Sequence, residues 1–120
     1  MVMSIILAAV MALNTGTWHH GKELPWYGYG FYGNRTACGQ TLTRKLVGVA
    51  NRTLPCGTKV TIKWNGHTLH TKVIDRGPYP SANRRAGMPF DITAGAAKAL
   101  GCRCSNPYFT RHDFIWKRGW

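Results

Sequence analysis

The stretch Lys59-Val60-Thr61-Ile62-Lys63-Trp64-Asn65-Gly66-His67-Thr68-Leu69-His70-Thr71-Lys72-Val73-Ile74-Asp75 decides the fold class. Lys59 to Trp64 alternates polar and apolar residues with the two-residue period of a half-buried strand. Asn65-Gly66 is the strongest short hairpin signal, because both positions tolerate the positive φ that a type I′ turn requires. The return from His67 to Asp75 carries the β-branched Thr68, Thr71, Val73 and Ile74, which suit a pleated surface. Asp75-Arg76-Gly77-Pro78-Tyr79-Pro80 then ends the strand, since proline donates nothing to a ladder.

Working outward, Ser81 to Pro89 reads as a basic loop and Phe90-Asp91-Ile92 as a short strand. Thr93 is placed to cap a helix over Ala94 to Leu100, with Gly101 at its end. Gly16 to Gly33 is rich in Gly, His, Trp and Tyr and reads as loop with short extended pieces. Beyond Cys102 the aromatic and basic residues show no clear period. The expectation is a mainly β domain with one or two short helices. Its boundaries are an apolar segment over 1–16, the β domain over 17–105 and an aromatic, basic tail over 106–120.

The chain has 120 residues, and its 16 Lys and Arg against 4 Asp and Glu leave a formal charge of +12. That length suits one domain and excludes a multidomain enzyme, a membrane transporter or a large cofactor-binding fold. With 44% hydrophobic residues, the chain can bury a core and is not disordered. The charge attracts polyanions. The bases are scattered, without a run or a DNA-reading basic helix, so anionic cell-wall polymers are favoured over a specific nucleic-acid partner. Val2 to Leu13 is too short to span a bilayer and reads as a signal peptide or as a docking strand. The segment and the aromatic tail are the places where protein partners would attach.

Cys38 and Cys56 each sit in a glycine-containing turn and suit a disulfide, the usual state outside the cytosol. Cys102 and Cys104 are so close in sequence that a mutual bridge would be strained, and with His112 they match no zinc-finger spacing. His67 and His70 fall on opposite faces of their strand, so they make no metal pair. No metal and no cofactor are expected.

With only Glu23, Asp75, Asp91 and Asp113 as carboxylates, acid–base chemistry has few carriers. Asp75 ends a strong strand at a Gly-Pro turn, which presents it to a concave surface. Asp91 lies between Phe90 and Ile92, where desolvation would raise its pKa. The alternative roles are a turn cap for Asp75 and a helix-start carboxylate for Asp91. Trp26, Tyr27, Tyr29, Phe31 and Tyr32 interleave with glycines, an arrangement that suits stacking on sugars or a small aromatic core.

Several segments together resemble the rare lipoprotein A family. They are Trp26-Tyr27-Gly28, Arg35-Thr36-Ala37-Cys38-Gly39-Gln40, Ala50-Asn51-Arg52-Thr53-Leu54-Pro55-Cys56-Gly57-Thr58, Val73-Ile74-Asp75-Arg76-Gly77-Pro78-Tyr79 and Phe90-Asp91-Ile92-Thr93, followed by Ala97 to Gly101. The version with both Cys38 and Cys56 is most similar to actinobacterial and actinophage members. The resemblance implies a six-stranded double-psi β-barrel related to expansins, peptidoglycan glycan strands as substrate, and lytic transglycosylase chemistry. Asp75 then acts as acid and base with Asp91 as its electrostatic partner, and Trp26, Tyr27, Gln40, Asn51, Arg76 and Tyr79 contact the glycan. Gln40 stands where many active members have Glu, and Asn51 where they have His. The alternatives are a non-catalytic, expansin-like glycan-binding module and a structural component of a phage particle. The expected location is the cell envelope or the extracellular space, or else the virion.

Overall fold

A computed structural model describes residues 16–78, 87–103 and 113–120 of the chain. The apolar segment over 1–16, apart from Gly16, therefore lies outside the described residues, as do Tyr79, Cys104 and residues 106–112 of the tail.

Seven strands form one curled sheet. They are β1 (His19–Gly21), β2 (Trp26–Tyr27), β3 (Val49–Ala50), β4 (Lys59–Trp64), β5 (His67–Asp75), β6 (Asp91–Thr93) and β7 (Phe114–Arg118). The order across the sheet is β1-β7-β4-β5-β3-β6-β2. The hairpin forms where the sequence placed it, pairing Lys59 with Lys72 and Trp64 with His67. Asn65 and Gly66 take φ of 50° and 76°, the left-handed conformations the turn demands. Val60 and Ile62 point inward, facing Thr71 and Leu69.

Two parallel pairings make the sheet more than a meander. β3 runs parallel to β5 and β2 runs parallel to β6, whereas β3 and β6 are antiparallel. Each parallel pair needs a long crossover, so residues far apart in sequence meet at the sheet centre.

The sheet takes in one strand from beyond residue 105. β7 lies between β1 and β4, with Trp116 opposite Ile62 and Lys117 opposite Thr61. Its inward side chains explain the placement: Phe114 is buried, and Trp116 meets Phe90 edge to face with ring centroids 4.8 Å apart. Part of the tail therefore completes the core and brings the sheet to seven strands.

The helix α1 (Ala94–Ala99) follows β6 directly. The Thr93 Oγ1 accepts the Ala96 N–H at 3.1 Å, the cap expected of it, and also accepts the Gly48 N–H at 3.1 Å. A Cβ on Gly95 would come within 2.6 Å of the Leu46 carbonyl oxygen, so only glycine lets α1 lie against that backbone. The Gly101 φ of +75° and its N–H bond to the Lys98 carbonyl end the helix. Leu24, Val49, Val73, Phe90, Ile92 and Leu100 are fully buried between helix and sheet.

Candidate functional site

Asp75 and Asp91 meet across one small residue. Ala50 on β3 is in register with Asp75 on β5 at one side and with Asp91 on β6 at the other. The two carboxylates open into a cleft of about 360 Å³ lined also by Tyr27, Phe31, Asn34, Arg35, Thr36, Leu42 and Arg76. A larger groove of about 550 Å³ lies at the hairpin turn, and among its lining residues Asp113 is the sole carboxylate. The acid pair selects the smaller cleft.

Asp75 is held on both oxygens. Its Oδ1 accepts the Ala37 N–H at 2.8 Å and its own neighbour's N–H, from Arg76, at 2.9 Å. Its Oδ2 accepts the Tyr27 hydroxyl at 3.0 Å. Three donors converge on one group, an arrangement that fits an acceptor-only carboxylate. Burial pushes the Tyr27 hydroxyl far above its usual range, and the charge of Asp75 adds to this, so Tyr27 remains a donor.

Asp91 is different. Burial raises its pKa from 3.8 to about 6, with the Arg52 guanidinium opposing and the Asp75 charge reinforcing the shift. A carboxyl in that range carries a proton in mildly acidic surroundings and can give it away. The flanking apolar residues that suggested desolvation, Phe90 and Ile92, are both fully buried.

The disulfide between Cys38 and Cys56 is present and closes this region from the side. The Cys38 N–H donates to the Ile74 carbonyl and the Gly57 N–H to the Val73 carbonyl, so the bridge ties two loops to the end of β5. It thereby holds the Ala37 amide against Asp75.

The expected glycan contacts divide. Tyr27 and Arg76 line the cleft, although the Arg76 guanidinium is turned toward the 51–56 loop, donating to the carbonyls of Leu54 and Asn51. Asn51 is buried with its side chain occupied: Oδ1 accepts the N–H groups of Thr53 and Leu54, and Nδ2 donates to the Pro89 carbonyl. It braces the loop. The Gln40 side chain takes a hydrogen bond from the Thr36 hydroxyl at 2.8 Å and lies outside the cleft lining. Trp26 packs against the core. Tyr79 lies outside the described residues. The Ala37 amide was not legible as a site group, because a backbone N–H leaves no mark in the residue type. Phe31, 58% exposed at the cleft, is the aromatic of the glycine-rich cluster best placed to meet a sugar ring. Among the described residues no group of His, Cys, Asp and Glu is arranged to hold a metal ion.

This geometry has relatives. The family model described as "Lytic transglycolase", a double-psi β-barrel family, matches residues 22–112. The chain belongs to that RlpA-like family. A probable endolytic peptidoglycan transglycosylase RlpA from Synechocystis sp. is 43% identical over 87 residues, covering 71% of this chain and 26% of that protein. An endolytic peptidoglycan transglycosylase RlpA from Campylobacter jejuni is 38% identical over 92 residues, covering 75% of this chain and 32% of that protein. The chain thus spans about a quarter to a third of the length of these relatives. Among solved structures, the Streptomyces papain inhibitor superposes with a TM-score of 0.59 at 23% identity, covering 88% of this chain and 97% of the inhibitor. A mutant expansin of Clavibacter michiganensis, solved with cellohexaose, gives 0.60 at 15% identity, covering 87% of this chain and 51% of the expansin. At those identities the likeness shows the fold, and the curled sheet is a double-psi β-barrel.

Proposed function

We propose that this RlpA-like domain cleaves peptidoglycan glycan strands by lytic transglycosylation, acting in the cell envelope or on its outer side. The observation that carries this reading is the pairing of two unlike carboxylates in one cleft: Asp91, protonated up to about pH 6, and Asp75, fixed as an acceptor by three donors. Two acids with environments this different take different roles.

The sequence pointed to Asp75 as acid and base, but the hydrogen bonds favour the opposite division. Asp91 protonates the glycosidic oxygen as the bond from C1 breaks. The positive charge developing at C1 faces the Asp75 carboxylate, which Tyr27 and Ala37 hold in place. The C6 hydroxyl of the same muramic acid then attacks C1 and its proton passes to Asp91, which regains its starting state. The product is an anhydro ring, and no water enters the balance. The Cys38–Cys56 bridge is consistent with an oxidising location.

The second reading, a glycan-binding module without cleavage, draws on Gln40 and Asn51, neither of which supplies a titrating group at the cleft. One experiment separates the two. Purified protein is incubated with peptidoglycan and the products are read by mass spectrometry, with Asp91→Asn and Asp75→Asn as controls. Anhydromuramoyl products that vanish in both variants support cleavage. Retention on insoluble wall without any such product supports the binding module.

A further inference from the structure

The outward face of β4, β5 and β7, on the half of the sheet away from the acid pair, gathers lysines and tryptophans into one cluster. The pleat points Lys59, Thr61 and Lys63 of β4 to the same side as Lys72 and His70 of β5 and Lys117 of β7, because Lys59 pairs with Lys72, Thr61 with His70, and Thr61 with Lys117. Four lysines thus share one face. Two tryptophans bracket them. The Trp120 ring lies 4.4 Å from the Lys59 ammonium and 5.9 Å from that of Lys72. The Trp18 ring lies 5.0 Å from the Lys63 ammonium and 5.1 Å from that of Lys117.

This is a built surface. The Trp120 Nε1 donates to the Thr71 carbonyl at 3.2 Å, and the Thr61 hydroxyl donates to the Gly119 carbonyl beneath it, so the end of the chain is fastened over the sheet. Both tryptophans are nonetheless exposed, Trp18 at 37% and Trp120 at 55%. Among the described residues, no carboxylate pairs with any of the four ammonium groups. Four like charges on adjacent strands repel, a cost that an anionic partner would remove.

We infer that this face binds a linear phosphodiester polymer of the polyol-phosphate kind, and so holds the domain on an anionic cell wall while the cleft works on the glycan. The residue types select that partner. All four cations are lysines, compact point charges that suit single phosphates, whereas a carboxylate polymer would favour the bidentate fork of arginine. A neutral glycan or a nucleobase needs open ring faces to stack on. Here each ring already carries two ammonium groups, and a polymer with charge but no rings competes with neither tryptophan. The inference deepens the wall-directed reading, and its test is a binding measurement that a domain without cleavage activity would still pass.

The test uses the full chain and a defined poly(glycerol phosphate), with polyuronate, a single-stranded oligonucleotide of equal charge and inorganic phosphate as parallel probes. The variant Lys59→Gln/Lys63→Gln/Lys72→Gln/Lys117→Gln is compared with Lys22→Gln/Lys45→Gln/Lys98→Gln/Arg103→Gln, which removes the same charge from exposed positions elsewhere. Affinity for the polyol phosphate is expected to fall about tenfold or more in the first variant and to change little in the second. Binding should also alter the tryptophan emission of the native chain, as ammonium groups leave the rings, and Trp120→Phe should reduce that change. Equal losses in the two variants would overturn the proposal by showing that net charge alone is responsible. Equal affinity for the oligonucleotide or the polyuronate would overturn the choice of a polyol phosphate. Circular dichroism of both variants verifies that the fold is retained.

Discussion

The Tyr27 hydroxyl donates to Asp75 Oδ2 at 3.0 Å, joining β2 to the end of β5 across 48 residues of chain. A hydrogen bond to a charged group contributes about 1.5–3 kcal/mol. If Asp75 must stay oriented toward a developing positive charge, Tyr27→Phe lowers kcat by about 10- to 100-fold, since ~1.4 kcal/mol is tenfold in rate. KM should change little. A fall confined to KM would instead make Tyr27 a glycan contact.

The pH profile of cleavage follows from Asp91. The proposed mechanism requires its protonated form, and its pKa is raised to about 6, so activity is expected to be highest below that value. Above it, log kcat/KM falls with unit slope, reaching about a hundredfold loss two pH units higher. Initial rates on purified glycan strands between pH 4.5 and 8.5 provide the check. A rate rising through pH 6 would assign the acid elsewhere.

The same shift predicts a loss of stability as pH rises, in the same direction as the loss of activity. The folded pKa of Asp91 lies above its ordinary 3.8, so the native state binds more protons than the unfolded chain between 3.8 and about 6. Ionised Asp91 therefore destabilises the fold, fully so above about pH 6, and the penalty fades as pH falls toward 3.8. Asp91→Asn should abolish cleavage while raising stability at pH 7.5 by up to ~3 kcal/mol. Denaturant melts at pH 7.5 and pH 4 test this, with the gain expected at the higher pH and small at the lower.

The bridge between Cys38 and Cys56 spans 18 positions, and losing it should cost about 3 kcal/mol through the unfolded state. Activity should suffer more than stability alone explains, because the loop that carries the Ala37 amide loses its anchor. Cys38→Ala/Cys56→Ala, assayed well below its own melting temperature, is expected to show a lower kcat. An unchanged kcat at that temperature would mean that hydrogen bonding alone positions the loop.

Reading the sequence succeeded where a local rule controls structure. The hairpin of β4 and β5 was legible because alternation and Asn65-Gly66 agree, and the Thr93 cap because a hydroxyl before an alanine run has few other uses. β7 was not legible: Ile115 and Trp116 are both apolar, which blurs the alternation, and its partners on β4 lie some fifty residues earlier. At the site, Asp75 and Asp91 stood out because acids are scarce here. The division of labour proposed for them did not, since it rests on the Ala37 amide and on how deeply Asp91 is buried. The family resemblance offered Asn51 as a glycan contact, and the three hydrogen bonds its side chain makes within the protein could not be read from the sequence.

The two parallel pairings have a consequence for how this domain comes into being. Tyr27, Ala37, Ala50, Asp75 and Asp91 arrive from five separate stretches, and the crossovers bring them together only once the winding is complete. No single hairpin carries all five of these residues. If the cleft cleaves glycan strands as proposed, that activity is absent until these five stretches have met.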